Sequence, residues 1–165
     1  MGEAKPTDRL IEVTLDESGL PSATPEVEQE RQIAIYDLLQ ENRFGLPGRE
    51  GRPVPDGPYR LALAIRERRL IFSVATEAGE AVGEVHLSLT PFNQVVKDYF
   101  QICESYFDAV KRLPAAQIEA IDMGRRGIHN EGSRILLERL SGKVETDMPT
   151  ARRLFTLICV LHFAG

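Results

Sequence analysis

The chain has 165 residues, 42% of them hydrophobic, and its 25 acidic side chains against 20 basic ones leave a net charge of −5. That length supports one domain with a core of its own, residues 1–165, and is too short for two. The acidic balance excludes a surface that is basic overall, the electrostatic footprint of nucleic-acid binding.

The two cysteines, Cys103 and Cys159, stand among apolar neighbours with no C-x-x-C or Cys/His spacing. They read as buried, reduced thiols, and no zinc site or other metal is implied. The opening Met1-Gly-Glu-Ala-Lys-Pro6 is polar, so no signal peptide is read there. The longest apolar run, Leu154 to Leu161, is far shorter than the ~20 residues that span a bilayer. A cytoplasmic protein away from membranes is the expectation. Charge is uneven along the chain: residues 1–42 hold three basic and ten acidic side chains, residues 43–69 seven arginines and three acids. Such asymmetry favours a second copy or a small anionic ligand as partner over nucleic acid.

Residues 9–15 alternate well enough for a short strand. Thr24-Pro25-Glu26 then reads as N-cap, first-turn proline and first-turn acid, opening a helix that presents Val27, Ala34, Ile35, Leu38 and Leu39 on one face and stops near Asn42. Residues 43–57 hold four glycines and three prolines and read as a flexible loop, whose Arg43, Arg49 and Arg52 are a candidate phosphate contact. A meander follows. Tyr59, Leu61, Leu63 and Ile65 alternate with polar or small residues, Glu67-Arg68 makes a tight turn, Leu70, Phe72 and Val74 continue, and Val85, Leu87 and Leu89 give a third strand. His86 falls on the opposite, solvent-facing side.

Thr90-Pro91 repeats the cap-and-proline signal. Phe92, Val95, Val96, Tyr99, Phe100, Cys103, Phe107 and Val110 follow at helical spacing, with the end at Leu113 before Pro114. A third helical region spans 115–140 and Ser141-Gly142 ends it. Residues 143–147 read as a brief strand, and Asp147 or Met148 caps a last helix that is apolar nearly all round, with His162 as an interior or interface histidine. The fold class is therefore α+β: a small antiparallel sheet, open to the N-terminal strand joining it, covered on one face by four to five helices.

Within the third region one window concentrates polar chemistry. At about 100° per residue, Asp122, Arg126, His129 and Ser133 share one stripe, beside a core stripe of Ile121, Ile128, Gly132 and Ile135. Titratable groups at such a border are half desolvated, and their pKa values move. Gly124, Gly127 and Gly132 would together cost on the order of 3 kcal/mol inside a helix. Two readings stay open: one continuous helix with close backbone packing, or a break in which Gly124 ends one helix and Asn130 caps the next.

Ala34–Leu39, Gly57-Pro-Tyr59, Lys97–Ser105, Glu119–Gly132 and Thr150–His162 together resemble an uncharacterised protein family found chiefly in alphaproteobacteria. The likeness runs over nearly the whole chain. It implies a bacterial, cytosolic single domain and carries no activity, cofactor or catalytic residue with it.

Two functional classes follow from the window. The favoured one is an interaction or regulatory module, ligand binding included, that works as a homodimer through its all-apolar last helix. An anionic ligand would meet Arg125, Arg126, Asn130, Glu131 and Ser133. The alternative is a small-metabolite enzyme with His129 as general acid/base, oriented by Asp122, and Arg125 or Arg126 holding an anionic group. No phosphate-loop, Rossmann or nucleophile-elbow motif is present, and no cofactor is implied.

Overall fold

A computed structural model describes residues 5–18, 24–48 and 53–163; Arg49 and Arg52 lie outside them. The alternating segments form the strands β1 (Leu10–Leu15), β3 (Tyr59–Arg66), β4 (Arg69–Thr76) and β5 (Ala81–Ser88), and the helices are α1 (Pro25–Gln40), α2 (Asn93–Arg112), α3 (Ala115–Leu140) and α4 (Met148–Phe163). Two-residue strands β2 (Phe44–Gly45) and β6 (Glu145–Thr146) pair antiparallel with one another.

The main sheet has the order β1-β3-β4-β5. Its last three strands are the antiparallel meander, and β1 joins as a parallel neighbour of β3, Val13 opposite Leu61. Parallel pairing requires a crossover, and α1 lies within it. The Glu67-Arg68 turn has both central residues at positive φ, 51° and 63°, the geometry whose twist matches a two-residue hairpin.

Leu61, Leu63, Leu70, Phe72, Val74 and Leu87 point from the sheet into one core, and the helices close over that face. In the helical layer α3 packs between α2 and α4, and α4 between α3 and α1. Thr24 caps α1 as expected, its hydroxyl accepting from the Val27 N–H at 3.2 Å. Asp147 caps α4, its carboxylate accepting from the Thr150 N–H at 3.0 Å.

Three expectations are corrected. Thr90 caps no α-helix: Thr90–Phe92 is a single 3₁₀ turn, and α2 begins at Asn93 without a side-chain cap. Val110 is exposed, and its neighbour Ala109 takes the buried position in that turn of α2. The start of the 43–57 loop is anchored instead of free. Arg43 N–H donates to Thr150 Oγ1 at 2.9 Å, Thr146 Oγ1 donates to the Arg43 carbonyl at 2.6 Å, and Phe44 is fully buried. Helix α4, read as the middle of a bundle or an oligomer interface, is the former: Leu154, Phe155, Leu157, Ile158, Cys159 and Leu161 all sit in the core. Its apolar circumference is accounted for without a second subunit.

Candidate functional site

The glycine window resolves as one unbroken helix, with no break at Gly124 and no cap at Asn130. Gly132 explains how: a Cβ there would lie 2.1 Å from Cζ of Phe155, so α3 and α4 approach as only glycine allows. Gly124 faces Ile102 of α2 more loosely, and Gly127 has nothing within 4 Å. The close approach of α3 and α4 brings the polar stripe of α3 beside Arg152, Arg153 and Thr156 of α4.

Between α1, α3 and α4 lies an open cleft of about 620 Å³. Helix α3 contributes Arg125, Arg126, His129 and Asn130, α4 contributes Arg152, Arg153 and Thr156, and α1 contributes Glu30 and Asp37, with Tyr99 of α2 among the lining residues. Four guanidinium groups thus face two carboxylates.

His129 sits deep in this cleft. Its ring meets Tyr99 and Phe155 edge to face, each at 5.2 Å between centroids. Nε2 lies 2.8 Å from Thr156 Oγ1, and Nδ1 is 3.5 Å from Ser133 Oγ, the outer limit of a hydrogen bond. Burial, then the charges of Arg125 and Arg152, push its pKa down to about 4, so the ring is neutral at pH 7.

Asp122 belongs to a different cluster from the one expected. One of its oxygens accepts from Arg125 Nε and Nη2 at 3.0 and 2.6 Å, the other from Arg126 Nε and Nη2 at 3.0 and 2.8 Å. These forks hold its carboxyl below the usual range. The expected orientation of His129 by Asp122 is not formed, because Arg125 and Arg126, one turn from the acid where His129 is two, take both its oxygens. Arg125 is fixed further by Glu30, 3.8 Å away, and by its stacking 4.5 Å over the Tyr106 ring. Arg126 is 65% exposed at the rim and has room to move. Burial raises the Glu30 pKa, partly offset by Arg125.

Of the other expected ligand contacts, Asn130 lines the cleft and accepts from Arg152 Nε at 3.0 Å. Glu131 is exposed and lies off the cleft wall. Ser133 is fully buried, its hydroxyl donating to the His129 carbonyl at 2.7 Å. Sequence reading missed Glu30, Asp37, Arg152, Arg153 and Thr156. The available signal was the Arg152-Arg153-x-x-Thr156 strip, a polar interruption in a largely apolar helix. His162 is half-buried, Nε2 lying 3.4 Å from Asn93 Oδ1, and His86 is exposed as expected.

Among the described residues, no three His, Cys, Asp or Glu side chains converge in a way that could hold a metal ion, and no helix is long and apolar enough to cross a membrane. Cys103 and Cys159 are both free and buried, and burial pushes both thiols up, Cys103 to about 11.

Comparison with known proteins covers nearly the whole chain. The family described as "Uncharacterised protein family (UPF0262)" matches residues 7–164. The UPF0262 protein of Roseobacter denitrificans is 69% identical over 157 residues, 95% of this chain and 99% of the relative. That of Ruegeria pomeroyi is 68% identical over 157 residues, 95% and 98% of the two chains. One from Cereibacter sphaeroides is 66% identical over 156 residues, 94% and 99%. No solved structure matches significantly. The chain belongs to the UPF0262 family, whose relatives here are alphaproteobacterial, in agreement with the resemblance carried by its motifs.

Proposed function

We propose that this UPF0262 member is a cytoplasmic ligand-binding module of regulatory type, and that its ligand is a small organic anion seated in the cleft between α1, α3 and α4. The observation that carries this reading is the convergence of Arg125, Arg126, Arg152 and Arg153 on one cleft of about 620 Å³, a volume ordinary for small-molecule sites. Guanidinium forks suit carboxylate and phosphate groups because they bind two oxygens at once. Pro149, in the first turn of α4, also lines the cleft, so the positive end of that helix adds to the attraction. Ile33, 52% exposed at the rim, gives the carbon part of such a ligand an apolar contact.

The enzymatic alternative draws less from the geometry. A general acid/base works best with a pKa near the operating pH, and His129 is held near 4 with Asp122 engaged elsewhere. A neutral imidazole packed edge to face, with Nε2 on Thr156, suits a fixed wall of the cleft.

The test is thermal denaturation against a panel of mono- and dicarboxylates, phosphate esters and nucleotides. A binder at roughly a hundred times its Kd stabilises by about 2.7 kcal/mol, a melting shift of several degrees. The expected result is at least one anionic hit, abolished in Arg152→Glu/Arg153→Glu. No anionic hit, or a hit that survives this double change, overturns the proposal.

A further inference from the structure

The two edges of the main sheet are treated differently. On the β1 side, the Leu10 N–H donates to Asn42 Oδ1 at 2.7 Å, Asn42 Nδ2 donates back to the Leu10 carbonyl at 3.0 Å, and the Phe44 N–H donates to the Asp8 carbonyl at 2.9 Å. The amide of Asn42 thus stands in for a neighbouring strand at the Leu10 end of that edge. On the other side β5 is the last strand, and no described element pairs with its outer side.

An open edge is a template for another strand, and proteins that must stay apart blunt it with proline, lysine or a bulge. Ala81-Val-Gly-Glu-Val-His-Leu-Ser88 contains no proline and no lysine or arginine. Its one register irregularity lies near Ala81, and from Gly83 to Ser88 it runs in regular register with β4.

We propose that β5 pairs antiparallel with β5 of a second copy of this chain, about a two-fold axis at Val85, joining two four-stranded sheets into one of eight strands. Residues directly opposite in a sheet share a face, so the axis must pass through a residue position. With the axis at Val85, Glu84 stands opposite His86 of the partner subunit, twice over by symmetry. Both side chains are exposed on the sheet face away from the helices, and within one chain His86 Nε2 already lies 3.0 Å from Glu84 Oε1. On the core side Val85, half-buried, meets its own copy, and Gly83 leaves room opposite Leu87 of the partner subunit. Moving the axis to Glu84 sets carboxylate against carboxylate, and moving it to His86 sets imidazole against imidazole. Val85 is the register in which unlike groups meet. The occupant is therefore a second copy, because the strand is complementary to itself, and its surface is separate from the arginine cleft.

Sedimentation equilibrium of the full chain tests this. The expected result is a concentration-dependent dimer. His86→Glu places Glu opposite Glu84 and weakens the dimer by about tenfold. The paired change Glu84→Lys/His86→Lys does the same, and mixing the two variants restores association as a heterodimer. Both positions are exposed, and unchanged circular dichroism of each variant confirms an intact fold. A wild type that stays monomeric, a dimer indifferent to both variants, or a mixture that fails to associate overturns the proposal. The first of these outcomes would return β5 to a strand from some other protein.

Discussion

Gly132 and Phe155 are in contact closer than any other residue type at position 132 would permit: a Cβ added to the glycine falls 2.1 Å from Cζ and 2.4 Å from Cε1 of the ring. The contact sets how near α3 comes to α4, and through it the width of the cleft. Gly132→Ala should destabilise by about 2 kcal/mol, since overpacking a rigid ring outweighs the better helix propensity of alanine. Gly127→Ala, exposed on the same helix with nothing within 4 Å, should stabilise by about 0.5–1 kcal/mol. Urea denaturation of the two variants should move the midpoint in opposite directions. Equal effects would mean that the Phe155 contact does not set the helix spacing.

Acid should weaken the fold through His129. Its folded pKa of about 4 lies below the ordinary 6.5, so the unfolded chain takes up a proton that the folded chain refuses. Stability is then full above pH 6.5, falls as pH drops towards 4, and levels off below. The linked loss is on the order of 3 kcal/mol. Denaturation midpoints at pH 7 and pH 4.5 should differ clearly in the wild type and much less in His129→Gln. An equal slope in both would place the acid sensitivity elsewhere.

Asn42 makes three hydrogen bonds with one amide: to the Leu10 N–H, the Leu10 carbonyl and, at 2.7 Å, the Leu38 carbonyl near the end of α1. Leu10 is almost wholly buried, so Asn42→Ala leaves backbone groups without partners. The expected cost is about 2–3 kcal/mol. Hydrogen exchange at Leu10 should accelerate well beyond that at Leu61 in the adjacent strand. Uniform acceleration across β1 and β3 would contradict a local plug.

The Glu67-Arg68 turn places two side chains at positive φ, where asparagine and glycine are favoured. Glu67→Asn/Arg68→Gly should raise stability by about 1 kcal/mol, read as a higher melting temperature. A lower one would show that these side chains make contributions beyond the turn.

Much of this architecture was legible one element at a time. Alternation at Tyr59–Ile65 and Leu70–Val74 marked which face of the meander is buried, Thr24-Pro25 fixed the start of α1, and Ser141-Gly142 the end of α3. The shared stripe of Asp122, Arg126, His129 and Ser133 at the edge of the core was legible too, and all four stand on the unbroken helix α3. Their partners were not. Nothing local distinguishes Asp122 facing His129 from Asp122 gripped by Arg125 and Arg126, because all three lie within two turns of the same stripe.

Periodicity records which side of an element avoids water, and capping residues record where it stops. Both are properties of neighbours in the chain, and both were determined by the sequence alone. That β1 lies parallel to β3, that Phe44 and Arg43 are held by the 144–150 segment, and that Glu30 and Arg152 face His129 across one cleft are pairings between distant segments. The last of them depends on how far α3 can approach α4, a distance that the Gly132–Phe155 contact limits and that becomes visible only when the helices are packed.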